Sequence, residues 1–238
     1  IAETIKSLNS KYNCYMAEMG LGYGSEYQLM RFLGHHREEL DKMILDATGQ
    51  SGDVRWLDFP YNDERISGDG EWKSIECFKN RDDYDKIESA WRGYWPQTGN
   101  AMNWDGIFTI DDTWYFVEAK AHKNESYQKC SASNNSKVAI NKAFTETKAW
   151  LNVDPQMNWI DSQCYQLANR LAFLCFCHNH GIKARLIYIG FVKGFRRRID
   201  EMQTADEWME VWKDELATLG LDIQRVAQHI SFIHPVCE

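Results

Sequence analysis

The sequence predicts a single α/β (α+β) domain, and three observations lead there. Segments with the 3.6-residue period of amphipathic helices alternate along the chain with short β-branched and aromatic runs. Two such runs, 103–110 and 113–121, are separated only by Asp111-Asp112 and read as a hairpin. The 238 residues, 44% of them hydrophobic, are enough for one large core, so a disulfide-stapled miniprotein and a disordered chain are both excluded.

Taken in order, the first helix is signalled at Ser25, where Ser25-Glu-Tyr-Gln28 has the form of a capping box behind Gly22 and Gly24. The spacing carries it to about Asp46 with an apolar stripe of Leu29, Met30, Leu33, Leu40, Met43 and Ile44. That period turns Glu26 inward, although a carboxylate in the first turn also complements the helix dipole. Strands are expected at Val54–Phe59 and Glu71–Phe78 around a turn at Asn62–Gly70, with a short helix over Asn80–Ser89. After the hairpin, Ser131–Ser136 reads as a loop and cap leading into a helix to Leu151. A longer helix is expected over Trp159–His180, followed by a buried strand at Ala184–Val192. A second capping box, Thr204-Ala-Asp-Glu207, opens a helix to about Leu219; a short helix at Leu221–Gln228 and a short strand at His229–Ile233 close the chain. Three of the four prolines fall between these segments.

Composition narrows the function. A net charge of −8 argues against a protein that coats nucleic acid through bulk electrostatics, but leaves room for local contact through metal ions and a few basic side chains. The longest apolar run, Leu171–Cys177, is far short of the roughly 20 residues of a membrane span, and no charged-then-apolar segment opens the chain. The cysteines, at 14, 77, 130, 164, 175, 177 and 237, contain no CxxC pair and read as reduced thiols of a cytoplasmic protein. Cys175-Phe-Cys177-His178-Asn-His180 looks like a metal motif, yet on a helix its two thiols point about 200° apart, which favours core packing.

The chemistry concentrates in the hairpin. If Ile110 faces Thr113, the same register sets Asp105 opposite Glu118, and a two- or four-residue loop preserves it, Asp-Asp favouring four. Carboxylates so paired stand with Cβ atoms about 4.5–5.5 Å apart and repel unless a cation joins them. Strand alternation adds Lys120 and His122 to the face of Glu118 and sends Trp104, Phe108, Tyr115 and Val117 to the other. Oxygen ligands of this kind suit Mg²⁺ or Mn²⁺, and a metal so held activates water and polarises a phosphodiester. Lys120 then orients the attacking water or stabilises charge, and serves as a base only with a depressed pKa.

Trp104-Asp105, a hairpin, then Glu118-Ala119-Lys120, behind a helix bearing Glu26, resembles the active site of the PD-(D/E)XK nuclease superfamily, the fold of type II restriction endonucleases. The resemblance covers about 23–192, with Trp104 in place of the proline and Glu26 at the helix start. It implies a restriction endonuclease-like αβββαβ core at 23–195, with a mixed central sheet flanked by helices on both faces, and a helical extension at 196–238. It also implies that Asp105 and Glu118 bind Mg²⁺ or Mn²⁺, that Lys120 assists hydrolysis and that Glu26 completes the metal set. Gln166 and Arg170, on a polar stripe of the second long helix, and His122 become candidate substrate contacts.

The expected activity is hydrolysis of DNA, or of RNA as a second choice, with a homodimer if both strands are cut. Lys193, Arg196–Arg198 and His35-His36-Arg37 are weaker phosphate candidates, since charge runs are more often solvated loops. A catalytically silent nuclease-like module binding nucleic acid or protein is the alternative. A retaining glycosidase with paired carboxylates is disfavoured by Lys120 on the same face.

Overall fold

The computed structural model describes residues 24–57, 71–98, 102–195 and 201–237. Among them are seven α-helices, a five-stranded mixed sheet and a small two-stranded ribbon. The helices are α1 (Ser25–His35), α2 (Arg37–Thr48), α3 (Tyr84–Tyr94), α4 (Asn134–Trp150), α5 (Tyr165–Asn179), α6 (Ala205–Thr218) and α7 (Ile223–Val226). The sheet strands, in spatial order, are β1 (Arg55–Trp56), β4 (Gly106–Ile110), β5 (Thr113–Lys120), β6 (Ala184–Gly190) and β7 (Ile230–Ile233), while β2 (Trp72–Lys73) and β3 (Asn103–Trp104) form the ribbon. No described helix is long and apolar enough to cross a membrane. The turn at 62–70 and the arginines at 196–198 lie outside the described residues.

β1, β4 and β5 pair antiparallel, whereas β5–β6 and β6–β7 are parallel and are connected through helices. β5 is therefore covered on both edges, and both faces of the sheet are packed. Leu29, Phe32, Leu33, Leu40 and Ile44 of α1 and α2 meet Phe108, Tyr115, Val117, Ile187 and Ile189 on one face. The other face, with Ile107, Phe116, Leu186 and Tyr188, carries α3 to α6 and most of the aromatic core.

Several sequence expectations change in the structure. The first helix breaks at His36 (φ −132°, ψ 32°), where Arg37 Nε donates to the Leu33 carbonyl at 3.0 Å and caps the end of α1. The capping box at Ser25 is not formed: Gly24 precedes the helix with φ 101°, and the Gln28 amide donates instead to Gly194 O at 3.1 Å. Met30, placed on the apolar stripe, is 42% exposed, and Phe32 takes the core position. The expected strand at Glu71–Phe78 stops at Lys73, because Ser74 turns at φ 46° and Glu76–Phe78 winds into a 3₁₀ turn. The helix expected over Asn80–Ser89 runs instead over Tyr84–Tyr94.

Similarly, α5 starts at Tyr165 rather than Trp159. Asn158 Nδ2 donates to Asp161 Oδ2 at 3.0 Å, Asn158 Oδ1 accepts the Asp161 N–H at 3.2 Å, and Ser162 Oγ takes the Cys164 N–H at 3.0 Å, so these polar side chains compete with helix geometry. The hairpin has the expected register but the two-residue loop, not four: Ile110 pairs with Thr113, and Asp111 adopts the left-handed φ of 52° that short polar side chains tolerate. The C-terminal segment is not helical throughout, since β7 joins the sheet beside β6.

Close approach of α6 to the sheet depends on Gly190. A Cβ there would lie 2.6 Å from Cδ2 of the buried Trp208, whose indole N–H donates to Phe191 O at 3.1 Å. Gly190→Ala must push that ring out of place, and a loss of about 1–3 kcal/mol is expected in denaturant titration. A melt unchanged from wild type would show that α6 shifts freely.

Candidate active site

The site forms where the ribbon turns into the sheet. At Asp105 the chain bends between β3 and β4: its N–H reaches Val117 O at 3.2 Å, although Val117 is already the partner of Gly106. This bulge-like step lets Asp105 Oδ2 accept the Ala119 N–H at 2.6 Å. It also breaks side-chain alternation, so Trp104, expected on the far face, packs with Phe116 at 4.7 Å between ring centroids, on the side of the catalytic candidates.

Glu118 and Lys120 share a face of β5, as alternation requires, and both are buried, at 2% and 4% exposure. Lys120 Nζ donates to Glu118 Oε1, and Arg170 Nε on α5 donates to Glu118 Oε2 at 2.7 Å. The Arg170 guanidinium lies 4.6 Å from the Trp104 ring centre and also bonds Asn169 Oδ1 at 3.0 Å. Asp105, Glu118, Gln166 and Arg170 line one cleft of about 1070 Å³, whose walls come from the ribbon, the loop after α3, the start of α4 and the start of α5.

The ionisation pattern follows from these contacts. Burial, then repulsion from Glu118, pushes the Asp105 carboxyl well above the usual carboxylate range. Burial alone would raise Glu118 too, but Arg170 and Lys120 together outweigh it and hold that carboxyl below its ordinary value. Burial works to lower Lys120, and is overcome by Glu118 and Asp105, so its pKa is raised. That direction removes Lys120 as a general base and leaves it an ammonium, a positive charge held beside the carboxylates.

Of the other sequence candidates, Gln166 shares the cleft, whereas Glu26 and His122 do not line it. Glu26 is half-buried in the first turn of α1 and does not line the cleft. His122 is buried beyond the cleft, with Nε2 3.3 Å from Glu125 Oε1 and its ring against Phe195 at 5.0 Å. Gln166 lines the cleft, and its amide oxygen has no protein hydrogen-bond partner. Cys175 and Cys177 are buried core residues, as expected, and the described cysteines are free thiols.

Two acids were missed by sequence reasoning. Glu71, immediately before β2, lines the cleft and adds to the negative charge acting on Asp105. Its signal was the pairing of Trp72 with Trp104, which sets the residue before β2 near the residue after β3. Glu215 of α6 lies behind the site, 1% exposed, with neither carboxylate oxygen hydrogen-bonded. The nearby Ser126 hydroxyl favours its charged form without a well-formed bond, yet burial prevails and pushes the carboxyl up to about 8.

Whether this donor set suits a divalent ion is decided by its chemistry. Asp105 and Glu118 stand close enough for one to raise the other, and an open cleft on their free side has room for water and phosphate, which is what Mg²⁺ takes in addition to one or two carboxylates. The set fits as a two-carboxylate site, with both Glu118 oxygens engaged by cations of the protein. Among the described residues no three His, Cys, Asp or Glu side chains form a ready ligand group. No family model, no curated protein and no solved structure matches the chain.

Glu215 gives the fold a pH dependence. An unfolded chain ionises this carboxyl near 4.5, whereas the folded protein keeps its proton to about 8. The corresponding stability is full below the lower value, falls as pH rises through the interval, and is gone above the upper one. Glu215→Gln stays neutral, so its stability in denaturant titration should climb relative to wild type between about pH 5 and pH 8, by up to a few kcal/mol. Parallel pH profiles for the two proteins would place the proton elsewhere.

Proposed function

We propose that this chain is a metal-dependent nuclease that hydrolyses phosphodiester bonds of DNA, with RNA as the second choice, on a restriction endonuclease-like core. The observation that carries the reading is the convergence of Asp105, Glu118 and Lys120 at a bend beside a cleft. Helices, then the antiparallel strands β1, β4 and β5, then helices and the parallel strand β6 support an αβββαβ reading, with β2, α3 and β3 inserted between β1 and β4.

Asp105 and Glu118 would hold Mg²⁺ or Mn²⁺. The ion would supply an activated water and neutralise charge on the phosphate. Bonded to the Ala119 N–H, Asp105 is fixed in orientation, which is the preorganisation a ligand needs. The Lys120 ammonium offsets negative charge that builds on the phosphate during attack and does not take the water's proton. Gln166 and Arg170 line the substrate side, where an amide and a guanidinium can meet phosphate oxygens. The free thiols among the described residues accord with a reducing, cytoplasmic setting.

One observation favours a second reading, a nuclease-like module that binds nucleic acid or protein without turnover. Both Glu118 oxygens are already satisfied by Lys120 and Arg170. Product analysis on linear, circular, single- and double-stranded substrates with Mg²⁺ separates the two. Cleavage is expected, and Asp105→Asn, Glu118→Gln and Lys120→Ala should each reduce its rate about 100-fold or more. Full Mg²⁺-dependent cleavage by these variants would overturn the assignment, and binding without cleavage by wild type would support the silent module.

A further inference from the structure

The nuclease reading leaves a charge problem in the site. Asp105 and Glu118 against Lys120 and Arg170 cancel when all are ionised. A divalent cation alone would leave this set at about +2 where Lys120 and Arg170 are only 4% and 5% exposed and water screens them poorly. A divalent ion at Glu118 also competes with cations already there, because Oε1 accepts from Lys120 and Oε2 accepts from Arg170 at 2.7 Å. A phosphodiester supplies the missing negative charge. Of the two cations only Arg170 lines the cleft, so only it can turn to meet a phosphate without leaving its pocket. Its guanidinium has five N–H donors on a planar fork suited to phosphate, and the Trp104 ring 4.6 Å away offers a surface along which it can turn.

We propose that Arg170 is a shared counterion: it holds Glu118 while the site is free of metal, and passes to a nucleic-acid phosphate as a divalent cation replaces it on Glu118. Metal and phosphodiester therefore bind as a pair. This rests on the metal-dependent nuclease reading and adds to it an order of assembly, in which the ion is retained only with substrate present. Linkage makes the effect reciprocal: whatever factor the nucleic acid adds to metal affinity, the metal adds to nucleic-acid affinity.

The test measures Mn²⁺ binding to the full chain from the paramagnetic signal of the free ion. It is run alone, with a slowly cleaved phosphorothioate DNA oligonucleotide, and with an uncharged methylphosphonate oligonucleotide. The phosphorothioate should lower the Kd for Mn²⁺ by roughly tenfold and the methylphosphonate should not. Arg170→Gln should bind Mn²⁺ alone about as tightly as wild type does with the phosphorothioate, with no further gain on adding it.

Because a buried Glu118 without Arg170 can unfold the variant, the wild-type protein is also labelled with ¹⁵N. Its Arg170 Nε–H resonance should move when Mg²⁺ and the phosphorothioate oligonucleotide are added together and stay in place with Mg²⁺ alone. Equal Mn²⁺ affinity in all wild-type conditions, or the same gain in Arg170→Gln as in wild type, overturns the shared counterion and leaves the nuclease reading standing. Failure to bind Mn²⁺ under any condition overturns both.

Discussion

Burying Glu118 in the middle of the sheet is the constraint on which the site depends. β5 is hydrogen-bonded on both sides, to β4 and to β6, so its side chains cannot escape to solvent at an edge. An ionised carboxylate there is tolerable only with close cations. One comes from the same strand, because Lys120 lies two residues on and shares the face. The other must come from outside the sheet, and α5, crossing between β5 and β6, delivers Arg170 onto Glu118 with the Trp104 ring beneath it. Buried ion sets of this kind seldom add net stability over an apolar core of similar volume. Four ionisable groups retained there are what the proposed chemistry would require.

The parts of the site governed by local periodicity were legible in the sequence. The two-residue repeat put Glu118 and Lys120 on one face, and counting back from Asp111-Asp112 set the register as far as Gly106 opposite Val117, where the chain steps out of it and Asp105 meets the Ala119 N–H and not a place opposite Glu118. What escaped depends on partners distant along the chain. The step at Asp105 moved Trp104 to the face of Glu118 and Lys120, and nothing in the alternation of β3 and β4 announces it. Arg170 was readable as a polar position on a helix but not as the partner of Glu118, 52 residues earlier. Helix ends were missed where side chains bond the backbone locally, at Arg37 and at Asn158 to Ser162, because periodicity is insensitive to that competition.

Under the proposed nuclease reading, a net charge of −8 opposes a polyanionic substrate at long range, and the cleft would have to act through short distances. Charges on exposed surfaces are screened beyond about 8 Å at physiological ionic strength. A contact at about 4 Å in the weakly screened interior is worth several kcal/mol by comparison. Lys73, Lys129 and Arg170 line the cleft alongside Asp105, Glu118 and Glu71, so the local balance is near neutral and not acidic. Recognition on these terms is short-ranged.

Glu118 and Glu215 show how the fold assigns opposite roles to the same side chain. Both are almost wholly buried, at 2% and 1% exposure, and burial acts on both in the same direction. Lys120 is a neighbour of each. The difference is the close cations: the charges of Arg170 and Lys120, and then their hydrogen bonds, keep Glu118 ionised, while Glu215 has no Arg170 beside it, receives only a weak influence from Ser126 and Lys120, and stays protonated near neutrality. A second ionised carboxylate behind Lys120 would compete with Glu118 for its ammonium. Keeping Glu215 neutral leaves Lys120 committed to Glu118. α6, in the segment that carried no chemistry in the sequence, is in this way part of the electrostatic frame of the site, and removing it would expose Tyr188 and the buried side of the ion cluster to water.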